Sequence, residues 1–164
     1  MILFDFHSEE ECNAWKTIND FVMGGVSESR FEYSGASTAV FTGAVSLKNS
    51  GGFASVRSAP SLYNLRKYKG LKLRVRGDGK QYKINLRAEA AFDGVQYQAV
   101  FDSKRNEWIE ISIPFRDFVP MFRGCLVNHA PQLDTSSICT FGILISGNQE
   151  GLFRLEIDWI SVYP

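Results

Sequence analysis

A period of two runs through most of this chain. Leu71, Leu73 and Val75 alternate with Lys72, Arg74 and Arg76. Beyond Gly77-Asp78-Gly79-Lys80 the alternation resumes, with Tyr82, Ile84 and Leu86 set against Lys83, Asn85 and Arg87. Successive strand side chains point to opposite faces, so each segment has one apolar and one polar face, as a half-buried β-strand requires. The Gly-Asp-Gly-Lys connection has tight-turn chemistry, and the two strands are expected to pair as a hairpin. The same connection makes Arg76-Gly77-Asp78 an integrin-type tripeptide, for which a turn is the sufficient explanation.

Further strands follow from the same pattern. Ile2, Phe4 and Phe6 suit a short N-terminal strand, Phe31 and Tyr33 a second, and Phe41, Val45 and Leu47 a third ahead of a turn at Gly51-Gly52. Others span Val95 to Phe101, Ile109 to Ile113, Cys139 to Ile145 and Phe153 to Trp159. Ser8 and Glu11 have capping-box spacing, and Glu9, Glu10 and Glu11 favour the positive end of a helix dipole, so residues 9–15 read as a short helix ending near Trp15. Two stretches show no period: 19–27, with paired glycines, and 114–137, with Pro114, Pro120, Pro131 and Gly124. Both read as loops. About nine short strands and one small helix describe an all-β antiparallel sandwich or barrel, and the strand spacing favours the sandwich.

The chain has 164 residues, 45% hydrophobic and 22% charged, which suits one globular domain across residues 1–164 and excludes wholesale disorder. Basic and acidic residues number 18 each, so net charge gives no reason to expect DNA or a membrane surface as partner. Cys12, Cys125 and Cys139 are widely separated, without a CxxC pair, and read as reduced, buried thiols. The N-terminus lacks the features of a signal peptide and no apolar run reaches the length of a membrane span, so a cytosolic protein or a processed mature chain is expected.

Catalytic signals are weak. His7 and His129 lie in no nucleophile motif, although His129 is near Cys125 and Asp134 in sequence. No phosphate-binding glycine motif or distinctive carboxylate pair stands out. No catalytic residue, metal or cofactor is therefore expected.

Charge is unevenly distributed. Residues 66–87 hold nine of the 18 basic residues against the single acid Asp78. Residues 1–32 hold seven acids against Lys16 and Arg30. In a hairpin, Lys72, Arg74, Arg76, Lys83 and Arg87 would share one sheet face. That face is either a solvated surface partly neutralised by the acidic segment, a dock for an acidic protein, or a site for RNA or anionic headgroups. RNA is the least expected of these, because Tyr82 falls on the inward parity and offers no stacking platform.

An ordered set of motifs resembles the complex I intermediate-associated protein family. It comprises Trp15 with Asn19-Asp20-Phe21-Val22-Met23-Gly24-Gly25-Val26-Ser27, then Gly51-Gly52-Phe53-Ala54-Ser55-Val56-Arg57, then Arg76-Gly77-Asp78-Gly79 with Tyr82. Trp108, Ile113-Pro114-Phe115, Phe118, Arg123-Gly124 and Phe153-Arg154-Leu155-Glu156-Ile157-Asp158 continue it along nearly the whole chain. The resemblance implies a galactose-binding-like jelly roll. It also implies a non-enzymatic assembly factor for a membrane-bound electron-transfer complex, either a complex I-type NADH dehydrogenase or a photosystem, with subunits or assembly intermediates as partners. Without a transit peptide the chain looks like a free-standing bacterial version, cytoplasmic and at most peripheral to a membrane. The candidate partner-binding residues are Asn19, Asp20, Met23, Gly24 and Gly25 in the first loop, Lys72, Arg74, Arg76 and Asp78 in the basic segment, and Phe118, Met121, Phe122 and Arg123 in the second loop. Either loop could instead plug the core, and exposure of Phe118, Met121 and Phe122 together would make an apolar patch. The alternative function is a sugar-binding module, which would expose Tyr97, Tyr63 or Trp108 as a flat platform.

Overall fold

Two antiparallel sheets face each other in the computed structural model, which describes residues 1–19, 27–48, 52–88 and 94–164. The first-loop candidates Asp20, Met23, Gly24 and Gly25 lie outside the described residues, as does Gly51 of the expected turn. One sheet contains β1 (Ile2–Phe4), β3 (Glu28–Tyr33), β4 (Ala39–Val45), β6 (Gly70–Arg76), β9 (Trp108–Pro114) and β13 (Gly151–Tyr163), in the order β3-β4-β13-β6-β9 with β1 also against β13. The other contains β2 (Lys16–Asn19), β5 (Ala54–Arg57), β7 (Gln81–Arg87), β8 (Gln96–Asp102), β10 (Val119–Phe122), β11 (Cys125–Leu126) and β12 (Thr140–Ile145). Its order is β11-β10-β8-β7-β12-β5-β2.

The expected hairpin at 71–86 does not form. β6 pairs with β13 and β9, whereas β7 pairs with β8 and β12, so Gly77–Lys80 carries the chain from one sheet to the other. Each strand keeps its predicted inward face, since Leu71, Leu73, Val75, Tyr82, Ile84 and Leu86 are all buried. Parity alone fixes which side chains are buried, but both a hairpin and a sheet-to-sheet crossover satisfy it.

Asp78 secures the crossover. Its carboxylate accepts from the Tyr82 hydroxyl at 3.0 Å, the backbone N–H of Lys80 at 3.0 Å and the backbone N–H of Arg154, on β13 in the opposite sheet, at 2.8 Å. Gly79 takes a positive φ of 88°, as the turn reading expects. Gly77 answers a different need: a Cβ there would overlap Ser103, whose hydroxyl accepts from the Gly79 N–H at 3.1 Å.

Long β13 lies against β4, β6 and β1, and Asp158 is an extra residue in its pairing with β6. That bulge shifts the inward parity from Phe153, Leu155 and Ile157 to Ile160 and Val162, so both halves of the strand face the core. A run of ring contacts fills one end of the sandwich. Trp15 stacks on Phe31 at 5.3 Å, Phe4 meets Trp15 edge-on at 5.0 Å, and Phe141 meets Phe4 at 5.2 Å and Tyr63 at 5.1 Å. Burying each such side chain contributes roughly 1.5–3 kcal/mol.

The helix, α1 (Glu9–Asn13), is shorter than the expected 9–15. Ser8 caps it by accepting from the Glu11 N–H at 3.2 Å, and the Glu11 carboxylate accepts from the N–H of His7 at 3.0 Å. Residues 114–137 contain the hairpin β10–β11, so they are not one irregular loop. Its two-residue connection, Arg123-Gly124, has φ of 49° and 79°, the double positive φ of a tight primed turn. The thiols differ from expectation as well: Cys12 is buried, Cys139 is half-buried and Cys125 is exposed on β11. Burial pushes the Cys12 thiol up to about 11, with the charges of Glu11 and Glu9 adding to the effect.

Gly77→Ala is expected to cost about 1–3 kcal/mol, seen as a lower urea midpoint at unchanged slope. An unchanged midpoint would show that Ser103 yields without cost. Burial, then the charge of Asp78, raises the pKa of Tyr82, so above about pH 10 only the unfolded chain loses that proton and stability falls as pH rises. Tyr82→Phe should therefore flatten the decline in urea midpoint between about pH 9 and 11. An identical decline in both proteins would contradict this role.

Candidate functional site

The crossover sends the basic run to two different surfaces. Lys72, Arg74 and Arg76 project from the outer face of the six-stranded sheet, where acids on adjacent strands meet them. Lys72 lies 3.5 Å from Glu110; Arg74 lies 3.8 Å from Glu110 and 3.1 Å from Asp158; Arg76 lies 2.7 Å from Glu156. Glu156 also accepts from the Thr38 hydroxyl at 2.6 Å and lies 3.5 Å from Arg154. Burial alone would raise the pKa of Glu156, but the hydrogen bonds from Thr38 and Arg76 and the charges of Arg76 and Arg154 outweigh it and hold the carboxyl below its usual range. Trp108 lies beneath the guanidinium groups of Arg74 and Arg76, at 5.1 and 4.9 Å. This face is internally neutralised by β9 and β13, not by the acidic N-terminal segment.

Lys83 and Arg87 lie on the opposite side of the molecule, on the outer face of the seven-stranded sheet. A groove of about 430 Å³ crosses this face. The register builds it in three rows. The middle row is Arg57 on β5, Gly142 on β12, Asn85 on β7 and Gln98 on β8, each directly opposite the next, with Val119 of β10 opposite Gln98. Two residues along the strands, Ser55, Leu144 and Lys83 form a second row. On the other side Thr140 opposes Arg87, and Gln96 opposes Met121. Gly142 leaves the floor low: a Cβ there would sit 3.1 Å from the Val56 carbonyl oxygen.

The polar side chains of this floor are well buried, with Asn85 only 7% and Gln98 only 6% exposed. Gln98 Nε2 donates to Asn85 Oδ1 at 2.8 Å. Lys83 Nζ donates to Ser146 Oγ at 3.0 Å, and Arg87 Nη2 donates to Gln96 Oε1 at 3.4 Å. Among the described residues lining the groove, Arg57, Lys83, Arg87 and Arg123 are basic and none is a carboxylate.

The remaining candidates are dispersed. Asn19 accepts from the Ser29 hydroxyl at 2.6 Å and, with Asp78, lines a second depression of about 870 Å³ that also contains Glu28, Arg105 and Arg154. Phe118 is only 6% exposed and packs on Phe115 at 6.2 Å, whereas Phe122 is 38% exposed beneath the Arg123 guanidinium. Met121 and Arg123 line the groove. Phe118, Met121 and Phe122 are therefore not exposed together, so of the two alternatives for the second loop the joint apolar patch does not form. The three rings considered as sugar platforms also lie elsewhere. Tyr97 is in the core with its hydroxyl donating to the Pro131 carbonyl at 2.6 Å, Tyr63 packs on Phe4 and Phe141, and Trp108 is covered by two arginines. Phe53 is the one aromatic among the described lining residues of the groove. Near His129, the Asp134 carboxylate is occupied by Ser136 and Ser137. Sequence reading missed Arg57, Asn85, Gln96, Gln98 and Thr140 as groove residues. Their signal was the polar parity of four separate strands, which becomes one surface only once strand order is known.

Comparison with known proteins agrees with the architecture. A family 11 carbohydrate-binding module from Clostridium thermocellum, solved with a β-1,3-1,4-mixed-linked tetrasaccharide, matches with a TM-score of 0.74 at 13% identity, covering 99% of this chain and 94% of the module. The agarase AgWH50C matches with a TM-score of 0.64 at 13% identity, covering all of this chain and 24% of the agarase. At these identities the likeness establishes the jelly-roll sandwich and nothing about ligand. Among sequence relatives, the mitochondrial complex I intermediate-associated protein 30 of Drosophila melanogaster is 25% identical across 98% of this chain, and its Mus musculus counterpart is 27% identical across 99%. The chain spans 62% and 56% of the length of these two relatives. Their names, and that of a Caenorhabditis elegans relative, are mitochondrial, which overturns the expectation of a bacterial cytoplasmic protein. The model for complex I intermediate-associated protein 30 matches residues 4–157, and the chain belongs to that family.

Proposed function

We propose that this chain acts as a non-enzymatic assembly factor, binding subunits or part-built intermediates of respiratory complex I and leaving as native subunit contacts displace it. Family membership supports the assembly role, and the single structural observation that carries a binding reading is the groove, a sheet face built from polar and basic side chains instead of an apolar core surface. Respiratory complex I is preferred to a photosystem as the client because the fly and mouse relatives carry its name. A non-catalytic role is supported by the chemistry of the reactive side chains, since the raised pKa of Cys12 keeps its thiol protonated and the Asp134 oxygens are committed to local hydrogen bonds. Among the described residues no helix is long and apolar enough to cross a membrane. Transient recognition of this kind needs only modest affinity, with charge complementarity setting encounter rate and specificity.

Purification of the tagged protein from its own cells in mild detergent, followed by native-gel sizing and mass spectrometry, tests this reading. Subunits of incomplete complex I should be enriched over the finished enzyme. Recovery of the finished enzyme alone, or of no complex I subunit, would refute it.

A further inference from the structure

We propose that β9 pairs edge to edge with β9 of a second copy of this chain, joining two six-stranded sheets across a two-fold axis at Ile111. This goes beyond client binding, which it leaves to the groove on the other sheet, and it stands or falls separately. The first argument is the open edge. β9 is a seven-residue strand bonded to β6 on one side, and among the described residues no strand lies on its other side. The opposite border of the sheet, β3, is packed by α1 and β2, while the border strands of the other sheet, β2 and β11, have only four and two residues. Edge strands are ordinarily protected by lysine, proline or a bulge, and the interior of β9 carries none of these.

The ladder fixes which groups on that edge are unpaired. The Phe115 N–H donates to the Lys69 carbonyl at 2.9 Å, in register with the pairing of β6 and β9. Bonding residues alternate along an antiparallel strand, so Ile109, Ile111 and Ile113 turn their peptide groups to β6, whereas Trp108, Glu110 and Ser112 turn theirs outward. No backbone group of another described residue takes them. The side chains alternate as well: Ile113 is buried, while Ile109 and Ile111 reach the core but stay partly exposed at the open border. A further strand would satisfy the free peptide groups and cover these two isoleucines together.

A second copy is the partner that the residues of β9 fit. With the axis at Ile111, Ile111 meets Ile111 and Ile109 meets Ile113 of the second copy, all on the inward face. On the outward face Glu110 meets Ser112 of the second copy. These are residues with free peptide groups, so the pair exchanges both N–H···O bonds on each side of the axis. Moving the axis to Glu110 sets two carboxylates directly opposite each other; moving it to Ser112 sets Glu110 against Pro114, which has no N–H. β10 follows Pro114 through the turn at Phe115–Asp117 and pairs with residues 96–98, the end of β8 away from Asp102 and the connection to Trp108. The two-fold therefore carries the two β10–β11 hairpins to opposite ends of the junction.

Only a short edge is buried, so the dimer is weak, and sedimentation of the full chain from low to several hundred micromolar should show it passing from monomer to dimer. Ser112→Pro removes an N–H that faces away from β6, so it should spare the fold and weaken the dimer about tenfold or more. Ser112→Glu sets like charge against Glu110 of the second copy but stands beside Lys72 in its own sheet. It should weaken the dimer about fivefold without lowering the melting temperature of dilute protein. Cross-linking checks the register in a Cys125→Ser background, which removes the exposed thiol. Under copper–phenanthroline oxidation Ile111→Cys should give a disulfide-linked dimer and Ile109→Cys should not, because the axis separates the two 109 positions by four residues, about 13 Å. A chain that stays monomeric across the range, a dimer unmoved by Ser112→Pro, or linkage through 109 as readily as through 111 would overturn the proposal. A monomeric wild type whose complex I subunits are lost on purification of Ser112→Pro would overturn it in favour of a client strand on this edge.

Discussion

The change of sheet at Gly77–Lys80 is the constraint on which the distribution of charge depends. Asp78 makes it possible by tying three donors into one carboxylate, one from its own crossover, one from Tyr82 on β7 and one from β13 across the sandwich. Because β6 and β7 enter different sheets, a basic run that is continuous in sequence is divided in space. Lys72, Arg74 and Arg76 go to a face already supplied with Glu110, Glu156 and Asp158. Lys83 and Arg87 go to a face whose described groove residues include no acid.

The two outer faces consequently do different work. On the six-stranded sheet, cross-strand ion pairs and the Trp108 contacts hold long side chains flat against the strands. Such partly exposed pairs contribute little each, but they leave little unbalanced charge to attract a partner. On the seven-stranded sheet the polar side chains face each other across adjacent strands, and Asn85 and Gln98 are nearly buried. Buried amides need partners, so a face built from them suits a ligand that presents donors and acceptors of its own.

Much of the fold was legible because strand parity is a local property. Leu71 to Val75, Tyr82 to Leu86 and Phe153 to Ile157 each declare an inward face without reference to any neighbour, and the structure buries those residues. Pairing is not local. The Gly77–Lys80 segment satisfies hairpin chemistry and crossover chemistry equally, and only the competition among β13, β9, β8 and β12 for partners decides between them. The 114–137 stretch hid β10 and β11 because Pro120 breaks the expected strand pattern, although Arg123-Gly124 could have marked the turn. The family motifs pointed correctly to family membership and less directly to a site. Asp78 and Phe118 have clear structural duties, whereas Arg57 and Lys83 acquire a shared surface only through the strand order β8-β7-β12-β5.

The central claim is that the partner is engaged by the groove face and not by the neutralised face. Photo-cross-linking in cells, with a photoreactive amino acid placed at Gln96 in the groove or at Glu110 on the opposite sheet, tests it most directly. Subunits of incomplete complex I attached through position 96 and absent from position 110 are the predicted result. Attachment through position 110 with none through 96 would contradict the account.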